Sequence, residues 1–205
     1  MARATTAARG RRRQARGEAR ESILAAADEF LRERPFRELT IDELMKRAGL
    51  SRTLFYRHFD DLSQLVTQLL WTVAAPLRDS NDTTIDSGAG PDSMREGLHT
   101  TVEWFAENGP LLAAVADAVG YDEQIERVYE IALANWFERM RVSLQQAAAG
   151  GHISPVDPAL AEALVGLNER YLLRKLGRIP QEDPVVVEET LWAIWNRFLY
   201  GPDGA

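Results

Sequence analysis

Between Glu18 and Tyr200 apolar residues recur three and four positions apart in segment after segment, and nowhere do they alternate one-for-one with polar residues. That period predicts an all-α chain and leaves no sheet to build on. The first segment buries Ile23, Leu24, Ala27, Phe30 and Leu31 on one stripe and is stopped by Pro35. Thr40-Ile41-Asp42-Glu43 is a T-x-x-E capping box opening a second helix on Ile41, Leu44, Met45 and Ala48, which Gly49 ends. Ser51 is placed to cap a third helix through Phe59, apolar at Leu54, Phe55 and Phe59 and dense with donors at Arg52, Thr53, Tyr56, Arg57 and His58. Two short helices joined by Ala-Gly-Leu-Ser have the spacing of a helix-turn-helix, whose second helix enters a major groove.

The charge distribution supports a polyanionic partner. The 205-residue chain is acidic overall, with 24 basic and 31 acidic residues. Its first 60 residues nevertheless carry thirteen Arg and one Lys against nine acids, a net of +5, so the remainder stands at −12. A basic head on an acidic body is drawn to nucleic acid head first. Arg9, Arg11, Arg12, Arg13 and Arg16 precede any apolar period and read as a mobile arm over residues 1–17, with a head over 18–61 and a body over 62–205. The bland alternative is a disordered, solubilising tail.

In the body, helical segments are predicted over residues 61–78, 93–107, 110–120, 123–149, 158–176 and 184–200, with Pro76 kinking or ending the first and residues 80–92 forming a loop. Asn168 sits inside the apolar arc of its helix, so its amide needs either a ligand or a partner on another helix. The last helix is apolar over about half its circumference, more than a surface helix needs to bury, which predicts an isologous homodimer through the final two helices. Trp104, Phe105, Trp136, Phe137, Tyr171 and Trp195 fall on segments able to surround one cavity near Asn168, although aromatics at this spacing are more often plain core.

Enzymatic chemistry finds little purchase. With no cysteine there is no disulfide framework, thiolate zinc site or cysteine nucleophile, and a reducing cytoplasm is the expected compartment. The histidines at 58, 99 and 152 form no H-E-x-x-H, and Glu96-Gly97-Leu98-His99 supplies one Glu-x-x-His where a di-iron bundle needs two. No G-x-S-x-G elbow occurs, so neither cofactor nor metal is expected. The longest uncharged stretch, residues 62–77, is too short to span a bilayer, and no membrane partner is expected.

Leu39-Thr40-Ile41 with Ala48-Gly49-Leu50-Ser51-Arg52-Thr53-Leu54-Phe55-Tyr56-Arg57-His58-Phe59 resembles the amino-terminal signature of TetR-type repressors. The resemblance implies a helical homodimer whose head binds a palindromic double-stranded operator and whose body binds a small molecule. It puts Arg52, Thr53 and Leu54, within the face from Ser51 to His58, on the bases and Thr40, Tyr56 and His58 on phosphates. Leu62 stands where the family carries a lysine, leaving Arg57 and the arm residues Arg11, Arg12 and Arg13 to supply that charge, the arm in the minor groove. Leu167-Asn168-Glu169-Arg170, Trp136 and Ile194-Trp195 resemble the ethionamide-resistance subgroup of that family, which implies a lipophilic or aromatic effector. Its implied lining is Phe105, Tyr129, Leu133, Trp136, Asn168, Leu172 and Trp195, with Met94 and Met140 as adaptable fillers. The expected function is a ligand-responsive repressor. The rival is a helical binding or enzymatic bundle whose basic head only solubilises or docks a protein.

Overall fold

The computed structural model describes the backbone of residues 2–86 and 90–201 and the side chains of residues 17–75 and 90–201. Helices and turns account for the described residues, with no strand among them. The head comprises α1 (Ala2–Glu33), a 3-10 turn at Phe36–Glu38, α2 (Ile41–Arg47) and α3 (Arg52–Phe55). The body comprises α4 (Leu62–Asp86), α5 (Pro91–Ala118), α6 (Glu123–Ala149), α7 (Pro158–Leu176) and α8 (Pro184–Tyr200). This is the expected helix-turn-helix head on a larger helical body.

In the head the stripe read from the sequence closes into a core: Ile23, Ala27, Phe30, Leu44, Phe55 and Phe59 are all but fully buried. Thr40 caps α2 by accepting from the Glu43 amide at 3.2 Å, while the Glu43 carboxylate turns to Arg47 at 3.7 Å. Gly49 takes the left-handed backbone that ends α2, at φ +67°. Ser51 departs from expectation. It holds the N-cap position of α3 but its side chain makes no capping bond, and its carbonyl instead accepts from the Leu54 amide at 2.9 Å. The third helix is also shorter than predicted, because Arg57 and His58 donate to carbonyls three residues back and tighten the chain into a turn.

Three helix boundaries differ from the sequence reading, each for a stated reason. Helix α1 extends back through the basic arm to Ala2, a stretch rich in Ala and Arg, both strong helix formers. The side chains of residues 1–16, including Arg11, Arg12 and Arg13, lie outside the described residues. Helix α4 continues past Pro76 to Asp86, since one proline removes a single bond and crowds a single carbonyl. Helix α5 merges the two segments predicted around Pro110. There the Ala106 carbonyl, which loses its helical donor to the proline, accepts from Gln181 Nε2 at 2.9 Å. The neighbouring Glu107 carbonyl accepts from Arg32 Nη1, whose Nη2 donates to Asn108 Oδ1 at 3.1 Å.

Helix α5 packs against α1, α4, α6, α7 and α8, which makes it the hub of the molecule. The close crossing with the end of α7 depends on Gly109, where a Cβ would lie 2.3 Å from the Leu176 carbonyl oxygen. Aspartates set the starts of the later helices: Asp122 accepts from two α6 amides, Asp157 from Ala159 and Asp183 from Val185. Two further contacts brace the molecule, one within the body and one between head and body. Ser63 Oγ donates to Asp122 Oδ2 at 2.6 Å, and the Phe36 ring stacks on Tyr121 at 6.4 Å.

Candidate nucleic-acid interface and body cavities

The second half of the helix-turn-helix presents a face to solvent because Phe55 and Phe59 take the inward positions. Ser51, Arg52, Thr53, Tyr56 and Arg57 are exposed, as is Thr40 at the start of α2, while Leu54 and His58 are half-buried. Tyr56 is 51% exposed, so it is not a core residue. His58 lies beside Phe59, with ring centroids 6.4 Å apart. The candidate base-reading and phosphate-contacting residues of the described chain therefore share one continuous surface. Leu62, at the first turn of α4, is half-buried against the core.

The Arg52 side chain is held on that surface by two partners. Its Nη1 donates to Asp42 Oδ1 at 2.7 Å, its Nη2 lies 3.3 Å from the Tyr56 hydroxyl, and its guanidinium carbon stands 5.9 Å from the Tyr56 ring centroid. The Asp42 bond, then the Tyr56 bond, raise the guanidinium above its ordinary pKa. Arg47 is held differently, bonded to Glu33 of α1 at 3.1 Å and stacked on Phe30, where it ties α2 to the core.

Two cavities lie in the body. The first opens about 690 Å³ of space and is bordered by Met94, Trp136, Met140, Asn168 and Trp195 from the expected set. The second opens about 580 Å³ and is bordered by Phe105, Tyr129 and Leu133, again with Trp136. Trp136 and Arg139 border both, so the two spaces are neighbours across one wall. Leu172 corrects the sequence reading: it borders neither cavity and is fully buried in the core, whereas Leu173 faces the second. One residue is 100° of helix, and packing of α7 against α5 and α8 fixes which leucine points inward.

Asn168 finds its partner on a neighbouring helix. Trp195 Nε1 of α8 donates to Asn168 Oδ1 at 3.0 Å, a buried bond that satisfies the amide oxygen and orients the group. In the second cavity the Tyr129 hydroxyl donates to Glu169. Burial, then the Glu169 carboxylate, push the Tyr129 phenol far above its ordinary pKa. The sequence reading missed Arg139 and Glu169 as wall residues. Their signal was a charge three residues after Trp136 and one directly after Asn168, at the edges of apolar arcs. Trp104 was read as a cavity aromatic; it borders the second space and donates to the Val73 carbonyl of α4 at 3.1 Å. His99 of α5 lies 2.7 Å from Glu188 of α8, which raises the imidazole pKa. No group of side chains able to hold a metal ion occurs among the described residues.

Residues 23–69 match the bacterial regulatory proteins of the tetR family. Over 192 residues the chain is 28% identical to the HTH-type transcriptional regulator EthR of Mycobacterium tuberculosis, covering 90% of this chain and 89% of that protein. It is 27% identical over 198 residues to EthR of Mycolicibacterium smegmatis, covering 93% and 91%. Among solved structures it is similar to a TetR-family transcriptional regulator from Rhodococcus sp., with a TM-score of 0.71, 23% identity and coverage of 87% and 97%. A TetR-family regulator from Syntrophomonas wolfei superposes with a TM-score of 0.75 at 16% identity, covering 89% and 95%.

Proposed function

We propose that this chain, similar to EthR and to TetR-family regulators, is a DNA-binding transcriptional regulator rather than an enzyme, and a homodimeric repressor released from a palindromic operator by a lipophilic small molecule. The observation that carries the reading is the exposed surface from Ser51 to Arg57, mounted on a buried head core and rigidly continued into a body that contains two cavities. On this reading Arg52, Thr53 and Leu54 meet base edges, Thr40, Ser51, Tyr56, Arg57 and His58 meet the backbone, and Arg11, Arg12 and Arg13 reach an adjacent minor groove.

The effector occupies the cavities, with Met94, Trp136, Met140, Asn168 and Trp195 around one part and Phe105, Tyr129 and Leu133 around the other. The wall of the second cavity supports a route to the head, because Leu70 and Ala74 belong to α4, whose first turn abuts the head core. Filling that space favours the arrangement of α4 that accommodates it, by no more than the ligand's difference in affinity for the two arrangements. Dimerisation uses α7 and α8, which leave Leu160, Leu167, Val185 and Val186 between 42% and 64% exposed in the single chain. A two-fold pair of heads then matches successive major grooves. No helix of the described residues is long and apolar enough to cross a membrane, and a cytoplasmic regulator fits that.

Binding of the full chain to duplex DNA, titrated with salt, tests the reading. Affinity is expected to fall by about a thousandfold or more between roughly 50 and 200 mM salt, the response of a protein that neutralises several phosphates. Arg52→Ala relaxes base preference, whereas Thr40→Ala weakens all duplexes alike. Absence of salt-dependent binding, or both variants behaving as wild type, overturns it.

A further inference from the structure

We infer that Asp42 is the positioning residue for base recognition by this head: it holds the Arg52 fork across the helix-turn-helix in the orientation that reads a guanine. The inference rests on the proposed DNA-binding reading and names a specificity device within that surface.

Asp42 lies in the first turn of α2 and Arg52 opens α3, so their 2.7 Å bond bridges the two helices on the solvent side of the turn. The side chains are 72% and 56% exposed. An exposed pair of this kind adds little to stability, since water screens it and two long side chains lose freedom to form it. The elements it links are already held by Leu44, Met45 and Phe55 in the core beneath. What the pair does fix is direction. A free arginine in water samples many rotamers, while this one is tethered at Nη1 by Asp42 and at Nη2 by the Tyr56 hydroxyl, above the Tyr56 ring.

A guanidinium carries five N–H donors, and two bonds leave three of them for a ligand, enough for the two parallel bonds that guanine O6 and N7 accept. A carboxylate close to a duplex is otherwise a liability, because it faces the phosphates unscreened. Paired to the cation that does the reading, it is neutralised where it stands. Two other arginines of the head are committed elsewhere. Arg47 is bonded to Glu33 and stacked on Phe30, and Arg34 is bonded to Glu38. Both side-chain partners of Arg52, Asp42 and Tyr56, lie on the outward surface of the helix-turn-helix with it.

The test is selection of bound sequences from a randomised duplex library with the full-length chain, its Asp42→Ala, Asp42→Asn and Arg52→Ala variants, and the double variant. The wild type is expected to enrich a motif with guanine at one position of each half-site. Asp42→Ala lowers the preference for that guanine by about tenfold, within the discrimination one forked arginine contact supplies. Asp42→Asn, which keeps an acceptor oxygen, loses less, about threefold. In the Arg52→Ala background Asp42→Ala changes the preference no further, a non-additivity that a merely structural role would not produce. Thermal melting of each variant verifies the fold, since Thr40 and not Asp42 supplies the cap of α2. If Asp42→Ala tightens binding to every duplex equally and leaves the guanine preference intact, the pair is a latch and the inference fails. A wild-type chain that enriches no sequence instead removes the DNA reading itself, and this inference with it.

Discussion

At the scale of single residues, sequence periodicity located the unusual side chains but not what they touch. Asn168 was legible as an amide inside an apolar arc, and its need for a partner follows from the cost of a buried unpaired carbonyl oxygen. That the partner is the Trp195 indole was not legible, because the two lie 27 residues apart on helices whose mutual rotation depends on every other contact. Trp195→Phe keeps an aromatic ring and removes the donor together with the pyrrole part of the buried indole. It is expected to cost about 1–3 kcal/mol of unfolding free energy, read from urea melts, and an unchanged midpoint would mean that the bond contributes nothing. Leu172 and Leu173 make the same point from the other side. Leu172 belongs to the arc and Leu173 does not, yet packing sets Leu173 at the cavity wall. Arg139 and Glu169 escaped notice because charged residues at the edge of an arc usually face solvent.

At the scale of elements, the head could be read almost whole. Its signals are local: the Thr40 cap, the left-handed Gly49 and a stripe that repeats every turn. The prolines of the body misled for an equally clear reason. A missing N–H is visible in the sequence, whereas the compensating donor is not, and for Pro110 that donor comes from Gln181, 75 residues after the carbonyl that receives it. The neighbouring glycine yields a sharp test. In an ordinary helix Gly→Ala gains about 1 kcal/mol, yet at Gly109 the new methyl would meet the Leu176 carbonyl oxygen at 2.3 Å. Gly109→Ala is therefore expected to destabilise by about 1–3 kcal/mol, measured by denaturant titration. A stabilised variant would show that α5 and α7 do not cross so closely.

At the scale of the whole molecule, the half-circumference of apolar surface on α8 has only part of its cover within the chain. Val185 and Val186 remain exposed on α8, and Leu160 and Leu167 lie one heptad apart along α7. Replacing Leu160 and Leu167 together by glutamate is expected to weaken self-association by well over about tenfold, as two interface anchors would. Light scattering would register monomers, with the helical circular dichroism unchanged. A wild-type chain that is monomeric at micromolar concentration would remove the dimer from the account. Arg32 and Gln181 add a property that belongs to no single part. One reaches α5 from the head and the other from the loop between the last two helices, and they dock on consecutive carbonyls, those of Glu107 and Ala106. Straightening or rotating the hub at that step would break both contacts in one stroke, so the two ends of the chain are tied to the same turn of α5. The Ser51 to Arg57 surface is thereby linked, through α1 and Arg32, to the turn of α5 at which the last helices also anchor.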